Sequence, residues 1–295
     1  MSSGHLDFTA GAPDRHARAV QRAECGEHLC SFDGRADERR RVATAFVAGA
    51  LAAGDRVMYV SSGQDACLAD GLLPEAGTDV GEAIRSGQLT VLDLAAVGGS
   101  PPDSAQVTAR YREEADRSRA AGFPGLRIAV DMAGIVAALG SVEDVARWEK
   151  IVDQTFADAD ITALCQYDGR LVDEAARGRI AGEHAAVAVD DGSAPLATFM
   201  AGETPDVLRV AGELDVTTAA RFARALRARA AVSRRVRVDL AAVTFADLTG
   251  VRTIFEVARE LPPDATLVLC RTPSPMQRLL RLIGWREPRV EVRPD

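Results

Sequence analysis

The sequence predicts an α/β protein of two domains, an N-terminal parallel-sheet domain followed by a smaller C-terminal α/β domain. Three observations predict it. From residue 27 onward, apolar runs of strand length alternate with helical stretches, the pattern of a parallel sheet covered by helices. A polar tract, DDGSAP at 190–195, interrupts that alternation with the Gly, Ser and Pro content of a linker. The 295 residues are also enough for two domains of ordinary size, each with its own core.

The elements follow in order. EHLCSF reads as a strand and leads into a helix through ADERRRVATAFVAGALAAG that Gly54 ends; RVMYVSS is the next strand. Then come the strand GQLTVLDL, the long helix DSAQVTARYREEADRSRAAG, the strand GLRIAVDM, the helix SVEDVARWEKIVDQTFAD and the strand ITALCQYD. The stretch EAARGRIAGEHAAVAV closes the first domain. On this reading residues 1–24 form a disordered N-terminus, 25–186 the first domain, 187–195 a linker and 196–295 the second domain. In the second domain LATFM and VLRVAGELD are strands, and TTAARFARALRARAAV is a helix. RVRVDLAAV alternates Val236, Val238 and Leu240 against Arg235, Arg237 and Asp239, which makes one face of that strand buried. A helix, the strand ATLVLCR, the helix SPMQRLLRLIG and a final VEVRP complete the chain.

Composition narrows the function. The chain is 47% hydrophobic and 26% charged, with a net charge of −8 and a pI near 5.2. That acidity argues against a nucleic-acid partner, whose phosphates demand a basic face. Lys150 is the sole lysine and sits in a helix interior, VARWEKIVDQTF, so no Walker motif exists; FDGRADERRR stands where the glycine-rich loop and its lysine would be needed. Cys25, Cys30, Cys67, Cys165 and Cys270 are odd in number and show neither a CxxC pair nor a His cluster at metal spacing. Free thiols in a reducing cytoplasm are the expectation, with no metal and no cofactor. No apolar run approaches the roughly 20 residues of a membrane span, and the N-terminus lacks the apolar core of a signal peptide. A cytoplasmic, non-membrane protein is expected.

The stretch VTFADLTGVRTIFEVAREL, residues 243–261, poses the sharpest functional question. Counted at about 100° per residue, Val251, Ile254, Phe255, Ala258 and Leu261 share one side, and Arg252, Glu256, Arg259 and Glu260 the other. Thr249 belongs with the polar group, in the first turn, between a candidate N-cap, Asp247, and Gly250. A threonine there serves either as a helix cap or as a group that something else must reach. Asp215, Val216, Thr217 and Thr218 form a strand-to-helix loop in which one threonine is itself a candidate cap.

These residues carry a resemblance. VAGELDVTTAARFARAL, VRVDLAAVTFADLTGVRTI and the order of strands and helices over about the last 100 residues resemble the STAS family, the fold of sulfate transporters and anti-sigma factor antagonists. In its regulatory branch the turn before the second helix carries Asp-Ser-Ser-Gly or Asp-Ser-Thr-Gly. The second hydroxyl residue of that turn is phosphorylated by a partner serine/threonine kinase that is also an anti-sigma factor. Here the turn is Asp247-Leu248-Thr249-Gly250, so the resemblance implies Thr249 as the phosphoacceptor, with Leu248 departing from the pattern. It also implies a partner-binding face made of Asp215, Val216, Thr217, Thr218, Asp247, Leu248 and Gly250.

HLCSF, AIRSGQLTVLDL, GFPGLRIAVDM and ITALCQYD in the first domain resemble the MEDS sensory family, which looks like an ATPase core without its phosphate loop. The family's glutamate before the methionine and its later tryptophan are replaced by Asp131-Met132 and then Ala133-Gly134. Asp131 and Met132 close an apolar strand, at the sheet end where such folds place their crevices, and Cys165 and Tyr167 are expected on the same rim. With His28, which as a lone histidine is either a satisfied core residue or a ligand, they form the candidate ligand-sensing set. The expected protein is thus a non-enzymatic anti-sigma factor antagonist acting by partner switching, controlled by Thr249 phosphorylation and by a small-molecule ligand on the N-terminal domain. Its expected partner is an anti-sigma factor kinase, and a homodimer is compatible. The alternative is a scaffold or sensor subunit of a large STAS stress-sensing assembly.

Overall fold

The computed structural model describes residues 17–61, 80–193, 195–202, 204–284 and 286–293. Cys67 and the first 16 residues of the expected N-terminal leader lie outside them. Two sheets organise the chain.

The first sheet has seven strands: β1 (Ala17–Ala19), β2 (His28–Asp33), β3 (Arg56–Ser61), β4 (Leu89–Asp93), β5 (Leu126–Asp131), β6 (Ile161–Asp168) and β7 (Ala186–Val189), in the order β1-β7-β2-β6-β5-β3-β4. All its pairings are parallel. The connections carry α1 (Ala36–Ala52), α2 (Val80–Arg85), α3 (Leu94–Gly98), α4 (Ser104–Ala120), α5 (Ala133–Leu139), α6 (Val142–Ala159) and α7 (Glu174–Ala181). Both faces of the sheet are apolar, as a helix-covered parallel sheet requires. On one face Cys30, Ile128, Val130 and Tyr167 meet Tyr111 of α4, Trp148 and Phe156 of α6 and Ile180 of α7. On the other, Leu29, Val57, Tyr59 and Leu164 meet Phe46, Val47 and Leu51 of α1.

Two sequence boundaries shift. Val20 is fully buried and β1 pairs with β7, so residues 17–23 belong to the first domain and not to the leader. Residues 187–189, expected in the linker, are strand β7. Both segments are short, β1 the edge strand and β7 the strand beside it, and three or four residues are too few to show a period. Only Gly34 and Arg35 separate β2 from α1. A phosphate loop needs a longer glycine-rich arc ending in lysine, so this connection has no room to be one.

The second sheet has the order β12-β11-β10-β9-β8, from β8 (Ala197–Ala201), β9 (Val207–Leu214), β10 (Arg235–Ala246), β11 (Thr266–Cys270) and β12 (Val290–Val292). Only β8 runs antiparallel. Helices α8 (Ala219–Val232), α9 (Leu248–Glu260) and α10 (Ser274–Ile283) connect the strands. The buried set of α9 includes Val251, Ile254, Phe255 and Ala258, the residues its helical period predicts, and adds Thr253 and Val257.

The domains touch directly. A Cβ on Gly54 would stand 2.3 Å from the Phe199 carbonyl of β8, at a φ of +79° that glycine adopts most readily. Met200 packs against the α1-side core of the first domain. Arg229 of α8 lies 4.9 Å above the ring of Phe123; burial lowers its pKa to about 10. Asp55 of the first domain meets Arg127 of β5 at 2.8 Å and also Arg224 of α8.

Candidate functional site

Strands β9 and β10 are parallel neighbours, so the loops leaving their carboxyl ends lie side by side. The Asp247 amide donates to the Leu214 carbonyl at 3.0 Å and ties the start of α9 to the end of β9. Asp247 is the N-cap of α9: its carboxylate accepts the Gly250 N–H at 2.9 Å. The cap therefore comes from the aspartate, and Thr249, one residue inside the helix, is half-buried with no hydrogen bond to its hydroxyl among the described residues. Gly250 is required for space. A Cβ there would stand 2.3 Å from the Leu214 carbonyl oxygen and 2.7 Å from the Leu214 Cβ.

The neighbouring loop is organised by Asp215. Its carboxylate accepts from the Thr217 hydroxyl at 2.6 Å and from the amides of Thr217 and Thr218 at 2.9 and 3.2 Å. These bonds, the Thr217 hydroxyl foremost, hold the Asp215 pKa below the usual carboxylate range. The Thr218 hydroxyl donates to the Glu213 carbonyl at 2.9 Å and accepts from the Asp215 amide at 3.0 Å. Thr218 and Gly250 are buried. Of the residues expected on a binding face, these two shape the loops and present no surface.

What the rim does present is apolar: Val216 is 72% exposed, and Leu248 and Phe245 are each 51% exposed. Phe245 keeps the outward parity of Arg235, Arg237 and Asp239, while Val243, of the same parity but buried, escapes a reading by alternation. β10 slips register against β9 between Asp239 and Ala242 and again between Val243 and Phe245, so the parity that buries Val236, Val238 and Leu240 does not continue to the strand end.

The first domain's candidate residues fall in two places. Asp131 ends β5, where its carboxylate accepts the Ala133 N–H at 3.0 Å and starts α5. Met132 is buried. The cavity beside it, lined by Met132, Ala133, Val136, Tyr167, Asp168, Leu171 and Val172, has a volume of about 10 Å³, enough for a single water. Among the described residues the space at that rim is too small for a ligand. Cys165 and Tyr167 do not point to it as a pair. Their side chains, with those of His28 and Cys30, lie on the sheet face under α6.

There the fold gathers a polar cluster in the core. His28 Nε2 is 3.3 Å from Cys165 Sγ and 3.5 Å from Glu149 Oε2; Cys165 Sγ is 3.6 Å from Glu149 Oε2; His184 Nε2 is 3.7 Å from Glu149 Oε1. Tyr167 donates its hydroxyl to Glu149. The side chains of His28, Glu149 and His184 are 2%, 0% and 0% exposed. Burial raises the pKa of Glu149, Cys165 and Tyr167 and lowers that of His28, while it takes His184 down to about 4. All these shifts favour neutral groups. His28 Nδ1 faces Asp153 at 3.1 Å and His184 Nδ1 faces the Ile180 carbonyl at 2.8 Å. His184 Nε2 is buried without a hydrogen-bond partner among the described residues. One wall of a groove of about 680 Å³, between α7 and β7, is formed in part by His184 together with Phe32, Asp33, Glu174, Arg177 and Val187. Sequence reading placed His28 and Cys165 among the candidates but missed Glu149 and His184. The one available signal was Glu149 and Asp153 at i, i+4 on the otherwise apolar face of a helix.

Among the described residues no helix is long and apolar enough to cross a membrane. The fold and its two sites define a two-domain α/β protein: a parallel-sheet domain without a phosphate loop, joined to a STAS domain. The chain belongs to the MEDS family, the methanogen/methylotroph DcmR sensory domain, whose model matches residues 27–185, and residues 198–292 match the Mlab STAS domain model. No curated protein matches the chain. Among solved structures, an anti-sigma factor antagonist from Mycobacterium paratuberculosis is similar at 24% identity, over 35% of this chain and 91% of its own, with a TM-score of 0.31. The flagellar accessory protein FlaH from Methanocaldococcus jannaschii is similar at 12% identity, over 61% of this chain and 74% of its own, with a TM-score of 0.39. At these identities and scores neither likeness bears on function.

Proposed function

We propose that this protein is a cytoplasmic anti-sigma factor antagonist that works by partner switching, a regulator and not an enzyme, with Thr249 as the phosphoacceptor. The observation that carries the reading is the division of labour at the start of α9. Asp247 caps the helix, which leaves the Thr249 hydroxyl without a hydrogen bond among the described residues, on a loop end where Leu248, Val216 and Phe245 are exposed. Apolar side chains on a rim organised by two aspartates fit a protein partner, and the STAS match over residues 198–292 supports a kinase that is also an anti-sigma factor as that partner. A phosphate on Thr249 adds about −1.5 to −2 charge. Beside Asp247 and Asp215 that charge repels both carboxylates and hydrates the apolar rim, so docking weakens. The first domain biases the equilibrium through a small molecule, for which the groove of about 680 Å³ beside His184 has the size.

The test is phosphate mapping by mass spectrometry on protein recovered from its native cell, paired with partner capture by wild type, Thr249→Ala and Thr249→Asp. The expected result is phosphate at Thr249, capture by wild type and Thr249→Ala, and reduced capture by Thr249→Asp. Phosphate confined to Thr217 or Thr244, with equal capture by all three forms, sinks the reading.

A further inference from the structure

We propose that His28, Glu149, Cys165 and His184 form a binding site for one Zn²⁺ ion in the core of the MEDS domain. Each offers one ligand atom, and the four atoms lie within 4.8 Å of one another. Zinc bound tetrahedrally at about 2.0–2.3 Å spaces its ligands about 3.3–3.7 Å apart, the edges of the tetrahedron. Three edges already have that length: 3.3 Å from His28 Nε2 to Cys165 Sγ, 3.5 Å from His28 Nε2 to Glu149 Oε2 and 3.6 Å from Cys165 Sγ to Glu149 Oε2; His184 Nε2 stands 3.7 Å from Oε1, the other oxygen of the same carboxylate. Closing the widest gap takes a movement of about 1 Å.

The chemistry of the surroundings points the same way. The Nδ1 atoms of both histidines face oxygens, Asp153 Oδ1 and the Ile180 carbonyl, which makes each Nδ1 the protonated nitrogen and turns the Nε2 lone pair inward. His184 Nε2, an acceptor sealed in the core, has no donor among the described residues. Two lone pairs, a carboxyl group and a sulfur thus converge where a cation would satisfy them all. The charges balance as well: a divalent ion with one thiolate, one carboxylate and two neutral imidazoles leaves the buried site neutral, the condition under which charge is tolerated in a core. Tyr167, donating to Glu149, orients the carboxylate. Mixed nitrogen, sulfur and oxygen donors suit zinc better than magnesium or calcium, which take oxygen alone. Bound there, the ion would join β2, β6, α6 and the turn between α7 and β7, and so fix the His184 wall of the groove.

The test uses the full chain with purification tags removed and with Cys25, Cys67 and Cys270 replaced by serine, which leaves only buried Cys30 and Cys165 as thiols. Metal content is measured after zinc loading and dialysis, and Co²⁺ is then added to chelator-stripped protein. The expected results are one zinc per chain and a cobalt spectrum with a thiolate charge-transfer band and tetrahedral d–d bands. Both should be lost in Cys165→Ser and in His184→Ala, and both should survive in Cys30→Ser. If the substitutions at 165 or 184 prevent folding, the cobalt spectrum of the parent decides alone. A folded parent that retains no stoichiometric zinc and gives no charge-transfer band overturns the proposal, as does zinc retained equally by folded Cys165→Ser and His184→Ala.

Discussion

Asp55 of the MEDS domain holds Arg224 of the STAS domain across the domain boundary, with its other oxygen 2.8 Å from Arg127 of its own sheet. The aspartate and Arg127 are buried, while Arg224 is about a third exposed. Removing the acid strands two cations; removing Arg224 leaves the inner pair intact. Asp55→Ala is therefore expected to cost about 3–5 kcal/mol, the usual loss when a buried pair is broken, and Arg224→Ala clearly less. Urea denaturation of the three proteins checks the order. Equal losses would mean that the boundary contact and the inner pair are not distinct.

The start of α9 separates capping from packing. Asp247→Ala should destabilise the protein by about 0.5–2 kcal/mol through the lost cap, and Thr249→Ala by less, since its hydroxyl makes no bond among the described residues. Gly250→Ala should be the most costly of the three, at about 1–3 kcal/mol for an overpacked position, because its Cβ meets the backbone of Leu214. Thermal melts rank them, and a Thr249→Ala loss exceeding that of Asp247→Ala would return the capping role to the threonine.

ATP with magnesium should not bind the MEDS domain through a phosphate loop, because Gly34 and Arg35 are the whole connection from β2 to α1. Calorimetric titration is the check. Micromolar affinity abolished by substitutions at Gly34 and Arg35 would contradict it.

Asp168 predicts an acid-side dependence. The Arg170 guanidinium, bonded at 2.6 and 2.9 Å, is the main cause that takes its pKa down to about 2. A carboxylate depressed in the folded state adds stability above its unfolded pKa of about 3.9. That contribution fades as pH falls through about 2. Arg170→Ala should move the Asp168 titration upward when followed by carboxyl carbon NMR; an unchanged midpoint would assign the depression to Arg39 and the backbone instead.

The sequence by itself determined the elements that long, clean periods encode. The strands and longer helices of both domains lie where alternation and capping residues place them, and so does the apolar stripe of α9. It also placed Asp247, Thr249 and Asp215 in the two loops that the parallel pairing of β9 and β10 brings together, because those residues are local in their own turns. Tertiary structure alone decided the rest. The edge strand β1 and its neighbour β7 exist because of their pairing, β1 with β7 and β7 with β2, not because of any pattern within them. Val243 is buried against the parity of Val236, Val238 and Leu240, in a stretch where β10 twice shifts register on its partner strand. The buried cluster draws on residues 28, 149, 165 and 184, each ordinary in its own segment, which the parallel register of β2 with β6 and the docking of α6 over that sheet face bring within a few ångströms of one another. Periodicity reports which face of an element is buried; what that face meets is set by packing between segments far apart in the chain.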